Sequence, residues 1–88
     1  MRKIQPRKVA VLDHVYIRWL DHSHSNSGWH LIDEIKLSDT LEMESSGWVV
    51  VIGEDAIIVA GHKDKLSKQY SGFIEIVKKF ITEVNVID

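Results

Sequence analysis

The chain has 88 residues, of which 44 % are hydrophobic and 27 % are charged, with no cysteine and a net charge of -2 at neutral pH. This composition is typical of one soluble domain, and the lack of cysteine excludes disulfides and thiolate metal sites. The charge speaks against a general nucleic-acid binder, which usually carries a basic excess. No apolar run approaches the roughly 20 residues of a membrane span and no signal peptide is recognisable, so we expect a cytoplasmic protein.

The N-terminal part predicts a flexible basic arm over residues 1–7 and a single small domain over residues 8–88. Val15, Ile17 and Trp19 alternate with Tyr16, Arg18 and Leu20, which predicts a strand over Val15–Leu20. Val9–Leu12 is either the earlier part of that strand or a separate short strand. Asp13 lies between them, and the turn preference of aspartate predicts a turn or a bulge there.

The middle of the chain begins with Asp21–Gly28, which is rich in serine, asparagine and glycine and therefore predicts a loop. Trp29–Leu37 predicts a strand that bends near Asp33, and a short helical turn at Ile32–Ile35 is the alternative. Residues 41–44 then alternate apolar with acidic side chains and lead into the next strand.

Ser46–Ala60 is the most apolar stretch and predicts two strands, Trp48–Ile52 and Ala56–Ala60. Gly53–Asp55 between them has the chemistry of a tight turn. Regular alternation places one set of side chains of the first strand on one face and the others on the opposite face: Trp48, Val50 and Ile52 against Val49 and Val51. Both faces are apolar, which favours a closed barrel, a second layer or a subunit interface.

The C-terminal part begins with Gly61–Gly72, a polar segment that predicts an exposed loop. The density of β-branched residues then favours two strands, Gly72–Ile76 and Phe80–Ile87, with a turn at Val77–Lys79. A helix over Phe73–Val84 is the alternative, since its apolar residues also fit a helical face.

Five or six short strands separated by turns predict a mainly all-β fold. The architecture we expect is a small antiparallel barrel of the SH3-like or Sm-like kind, because closure removes the exposed edges of these apolar strands. An α+β fold with a C-terminal helix is the alternative.

Several short motifs recur in a characteristic order along the chain. They are Trp19-x-Asp21, Gly28-Trp29, Ser46-Gly47-Trp48, Tyr70 near Gly72, and Ile76-x-Lys78-x-x-Ile81. The pattern resembles small uncharacterised proteins encoded by bacteriophages and prophages, which look like small SH3-like or Sm-like barrels. Members commonly have proline where Val77 stands here. The resemblance implies a phage origin and a small binding module, and it transfers no catalytic residue.

The loop after the first long strand contains candidate metal ligands. Asp21, His22 and His24 could bind zinc, nickel or copper, and His30 could add a third imidazole. His-x-His is a common surface pattern, however, and no cysteine supports a site. We therefore predict a solvated loop, no metal and no cofactor.

The binding residues that we predict are aromatic side chains near strand ends and the polar residues beside them, since such side chains stack on bases or anchor protein partners. They are Trp19, Trp29, Trp48, Tyr70, Arg18 and Asp21. Packing in the core or at an end of the barrel is the alternative for the tryptophans. The N-terminal part contains a basic group that could bind phosphates: Arg2, Lys3, Arg7 and Lys8. We prefer the interpretation that this terminus is solvated.

The chain contains no glycine-rich phosphate loop, nucleophile elbow or HExxH motif, so we predict that it is not an enzyme. We expect a phage-type binding module that assembles as a homo-oligomer and acts on a host protein or a small ligand, for example as an inhibitor of a host or defence factor. A nucleic-acid-binding protein of the Sm-like or SH3-like kind is the alternative.

Overall fold

The computed structural model describes residues 1–21, 29, 31–34 and 41–87, and in these ranges six strands form one antiparallel sheet. The strands are β1 (Arg2–Ile4), β2 (His14–Asp21), β3 (Leu41–Ile52), β4 (Ala56–Lys63), β5 (Tyr70–Val77) and β6 (Ile81–Val86). Short 3₁₀ turns lie at Pro6–Lys8, Ile32–Glu34 and Lys78–Phe80. The all-β prediction is confirmed, and the alternative of a helix over Phe73–Val84 is wrong.

The strand order across the sheet is β1-β6-β2-β3-β4-β5. β6 pairs with β1 along one edge and with β2 along the other, so it has no edge left for β5, the strand that precedes it. Within the described residues β1 and β5 each pair on one side. The sheet is therefore not closed into the hydrogen-bonded barrel that the sequence predicts.

β3 is shared between two halves of the sheet. Its first part, up to Trp48, pairs with β2, and its second part, from Trp48 onward, pairs with β4. The two ladders meet at Trp48, and at the neighbouring Gly47 a Cβ atom would lie 2.2 Å from the carbonyl oxygen of Ala60. Only glycine fits this close approach of two backbones.

One face of the sheet, called here the core face, holds a single apolar cluster. Its buried members come from both halves of the sheet: Val9, Val15, Ile17, Trp19, Val49, Ile57, Val59, Ile76, Val84 and Val86. The sheet must therefore curve so that β2 and β6 face β4 and β5 across one core. The indole N–H of Trp19 donates to the Ser45 hydroxyl at 3.0 Å, which satisfies the polar atom of this buried ring.

A bulge in β3 changes which side chains share a face. The ladder to β4 skips Val50, so Val49 and Val51 pair with successive residues of β4. The extra residue places Val51 on the face opposite the core, called here the outer face, and turns Ile52 to the core face. The predicted grouping of Trp48, Val50 and Ile52 on one face is therefore wrong for Ile52, and the predicted grouping of Val49 with Val51 is wrong as well.

The N-terminal segment differs from the predicted arm and strand. Arg2–Ile4 belongs to the sheet as β1, paired with β6, because its backbone groups find partners on that strand. Val9–Leu12 is not a strand. It ends in a turn in which the Asp13 amide donates to the Ala10 carbonyl at 3.1 Å, and Leu12 takes a φ of 74°. The predicted turn at Asp13 is confirmed.

The connecting segments agree in part with the sequence predictions. Ile32–Glu34 is a 3₁₀ turn, which matches the alternative rather than the bent strand, and residues 35–40 lie outside the described residues. The polar loop is shorter than Gly61–Gly72, since β4 continues to Lys63 and β5 starts at Tyr70. The two C-terminal strands and the turn between them are confirmed.

Among the described residues no helix has the length and apolar character required to cross a membrane.

Candidate binding surface

The outer face over β1, β6, β2 and the first part of β3 is polar. The Tyr16 hydroxyl donates to the Glu44 carboxylate at 2.7 Å, and this hydrogen bond, then desolvation, then the negative charge of Glu44 raise the pKa of Tyr16. Arg18 is the cross-strand partner of both Glu44 and Glu83. Glu83 also lies 3.6 Å from the Lys3 ammonium. Charges of opposite sign alternate across this half, so its side chains partner one another.

The outer face over the second part of β3, β4 and β5 is apolar. Val50, Val51, Ile58, Tyr70 and Phe73 line a groove of about 390 Å³, called here the outer groove. Val51 is 48 % exposed and Phe73 is 63 % exposed. The bulge contributes to this groove, because it sets two valines side by side on the same face.

A row of rings crosses the outer face from the polar half to the apolar half. His14 stacks on Trp48 with ring centroids 4.7 Å apart and an angle of 12° between the planes. Ala60 is the cross-strand partner of Trp48 on one side and of Phe73 on the other, and it is fully buried. The small side chain of Ala60 thus lies beneath two larger aromatic neighbours, and Phe73 extends the row to the free edge of the sheet.

The turn between β4 and β5 is organised by Asp64. Its carboxylate accepts hydrogen bonds from the amides of Leu66 and Ser67 at 3.0 and 3.4 Å. The hydrogen bond from the Ser67 side chain and then the two backbone amides lower the pKa of Asp64. Asp64 therefore serves the turn, and the tip carries an excess of positive charge from Lys63, Lys65 and Lys68.

The structure separates the predicted tryptophans. Trp19 is a core residue, exposed by 8 %, which is the packing alternative. Trp48 is half-buried under His14, whereas Trp29 is fully exposed. The side chains of Trp19 and Arg18 lie on opposite faces of β2. Both nevertheless border a polar groove of about 410 Å³ at the far end of that strand. The other residues that line it are Glu42, Met43, Glu44 and Thr82.

The other predicted site residues fall into two groups. Tyr70 lines the outer groove, and Asp21 ends β2 opposite Leu41. His22, His24 and His30 lie outside the described residues. In the part of the chain that the structure describes, no three acidic, histidine or cysteine side chains are grouped as metal ligands.

Sequence reasoning missed several residues of the outer groove as individual binding residues: Val50, Val51, Ile58 and Phe73. The signal was present in the apolar character of both faces of the central hairpin. The sequence could not show which side chains face outward, because a bulge decides this and a bulge within a run of valines has no sequence signal.

Comparison of the chain with models of protein families, with curated proteins and with solved structures finds no match. The outer face must therefore be interpreted from its own geometry. Its polar half is internally paired, and its apolar half presents an open groove beside a free strand edge. An apolar groove of this kind can hold an apolar or aromatic side chain of a partner.

Proposed function

We propose that this protein is a non-enzymatic binding module whose outer groove receives a partner protein through an exposed aromatic or branched aliphatic side chain. The observation that carries the proposal is the groove itself, lined by five apolar or aromatic residues and bordered by the exposed ring of Phe73. Aromatic anchors in apolar pockets dominate the energetics of protein interfaces. A small ligand is the other occupant to consider, since the volume of about 390 Å³ falls in the usual range for ligand pockets.

The fold in this proposal is a small, partly open barrel of the SH3-like or Sm-like kind. It is supported by the strand order β6-β2-β3-β4-β5, by the 3₁₀ turn ahead of β6, and by the single core shared by both halves of the sheet. Following the resemblance to phage proteins, the partner in this proposal is a protein of the bacterial host, met in its cytoplasm, and one biological outcome is inhibition of that host factor.

A charge placed in the groove tests the proposal. Val51→Lys adds an ammonium group to an exposed position of the outer groove, whereas Ser46→Lys adds the same group to an exposed outer-face position of the same strand in the polar half. A protein captured from host lysate is identified, purified and titrated against wild type and both variants. We expect Val51→Lys to weaken binding about tenfold or more, since docking would bury an unpaired charge, and Ser46→Lys to leave it unchanged. Equal affinity for all three chains would reject the groove.

Nucleic-acid binding is the second candidate, and one observation favours it. Lys63, Lys65 and Lys68 surround the turn next to the aromatic side chains of Tyr70 and Phe73, an arrangement that suits single-stranded nucleic acid. It predicts binding that weakens steeply with salt and on replacement of these lysines. Absence of any retarded RNA or DNA at low salt would remove this candidate.

A further inference from the structure

The sheet has two outer strands of unequal character. β1 has three residues and begins with exposed Arg2 and Lys3. β5 has eight residues, pairs with β4 on one side, and in the described residues has no strand on its other side. A strand edge of that length presents a row of backbone donors and acceptors that can pair with another strand.

β5 lacks most of the features that keep strand edges from pairing. Natural edges are usually short, or carry lysine, proline or a bulge. Between Tyr70 and Val77 there is no proline and no basic residue, and Glu75 is the one charged side chain. Gly72 has a φ of 70°, but the ladder to β4 keeps its register on both sides of it, at Ser71 and at Phe73.

We propose that the free edge of β5 pairs antiparallel with β5 of a second copy of this chain, about a two-fold axis at Ile74. The inference deepens the proposed binding function, on which its biological meaning rests. A two-fold contact uses the same surface on both subunits, so each copy supplies the edge that the other lacks. The axis must pass through a residue rather than between two, because only then do paired side chains share a face of the joined sheet.

The choice of Ile74 follows from the side chains of β5. With the axis there, nearly the whole strand is paired, Ile74 meets its own copy, and Ser71 lies opposite Val77 of the second copy. Ile74 is partly buried against the core at the edge of the sheet, so the pair extends the core across the junction. An axis at Glu75 would set two carboxylates directly opposite each other, which is unfavourable. With the axis at Ile74, Glu75 lies opposite Phe73 instead.

The consequence for the binding surface is a larger groove. Phe73 lies on the outer face beside the edge, so the two-fold axis brings the Phe73 rings of both copies to neighbouring diagonal positions. The two outer grooves then form one continuous apolar face, open to the proposed partner on both subunits.

The absence of cysteine allows a direct test by disulfide trapping. Ser71→Cys and Val77→Cys chains are purified separately, oxidised alone, and oxidised as an equimolar mixture. Directly opposite residues have Cα atoms about 4.5–5.5 Å apart, which fits a disulfide, whereas identical positions on the two copies lie about 20 Å apart at ~3.3 Å per residue. We expect a covalent dimer from the mixture and none from either chain alone.

Light scattering of the wild-type chain accompanies the trapping. We expect a molar mass of about twice the 10.1 kDa of one chain. A monomer at millimolar concentration overturns the β5 pairing. A wild-type dimer also overturns it if the mixture of the two cysteine variants forms no more disulfide than either variant alone. Neither result decides whether the outer groove binds a partner. If the chain is a monomer but Val51→Lys still weakens partner binding, the proposed function stands without the pairing. If the dimer is trapped but no such binding is found, the pairing stands without the proposed function.

Discussion

The two halves of the sheet share one core and differ on the outer face. Over β1, β2 and β6, side chains of opposite charge lie close together: Lys3 is 3.6 Å from Glu83, and Arg18 is the cross-strand partner of Glu83. Over β4 and β5, the same face carries Ile58 and Phe73 around a groove. Burial of the core face therefore explains the fold of both halves equally, but it does not explain the composition of the outer face. The apolar half retains surface that its own chain does not cover, which is why we assign binding to it.

The largest effect is expected from the shared core, and it tests whether the halves are one folding unit. Ile17 in β2 and Ile57 in β4 are buried to 0 % and 2 % exposure in one cluster. Replacing either by alanine should lower the free energy of unfolding by about 3 kcal/mol, through lost burial and the cavity that remains. Guanidinium denaturation measures this, with Leu66→Ala, at a position 92 % exposed, as the control. Two separate transitions, each shifted by only one of the two substitutions, would show that the halves unfold separately.

The next effect concerns the point at which the halves diverge. Gly47→Ala places a methyl group 2.2 Å from the Ala60 carbonyl oxygen, a backbone atom that cannot move aside without shifting β4. We expect a loss of about 2 kcal/mol, the usual cost of overpacking. Gly61→Ala is the matched control, since the nearest atom to its Cβ would be the Gly72 oxygen at 3.7 Å. Equal midpoints of denaturation for the two variants would contradict this account of β3.

A smaller effect on stability is expected from the side-chain pairs of the polar half, which the apolar half lacks. Tyr16→Phe and Glu44→Ala each remove one side of the 2.7 Å hydrogen bond on the polar outer face. A double-mutant cycle should show a favourable coupling well below the effect of either core substitution, because the pair is exposed to solvent. Val51→Thr, in the apolar half, should show no coupling to Tyr16→Phe. Additive effects of Tyr16→Phe and Glu44→Ala would mean that the polar half is not held by its side-chain pairs.

The smallest effect is a pH dependence in the turn at the end of the apolar half. The pKa of Asp64 is lower in the folded chain, since Ser67 and the amides of Leu66 and Ser67 bind its carboxylate. Such a group stabilises the fold at pH values above its unfolded pKa of about 3.9, and this contribution is lost as the pH falls through the folded pKa. Asp64→Asn should therefore flatten the acid limb of stability against pH and leave a small loss near neutral pH. Parallel curves for wild type and variant would refute this.

The parts of the fold that the sequence predicts are those in which local chemistry and burial agree. Gly53–Asp55 forms the expected turn, in which the Gly53 amide donates to the Ala56 carbonyl at 2.8 Å. The β-branched residues of Phe80–Ile87 predict a strand, and Ile81–Val86 forms one. Alternation predicts β2, because Val15, Ile17 and Trp19 are buried and the residues between them, Tyr16 and Arg18, are polar.

The parts that the sequence does not predict depend on distant partners. β1 has three residues and no internal pattern, and it is a strand because β6 offers it a free edge. Val9–Leu12 is apolar enough for a strand, yet Val9 packs into the core from an irregular segment. The outer groove depends on the bulge at Val50, which no local pattern reveals. The apolar character of both faces of the central hairpin predicts exposed apolar surface, but it does not predict which residues line the outer groove.

The pairing of β1 with β6 also bears on how the molecule folds. Arg2 lies opposite Val86, so this ladder joins residues separated by nearly the whole length of the chain. The hairpins β3–β4 and β4–β5 join residues close in sequence and pay a much smaller entropic cost of loop closure. We therefore expect the apolar half to form first, with its outer groove and β5 edge exposed before the polar half closes. The surface that we assign to binding would then be available to a second copy from an early stage of folding.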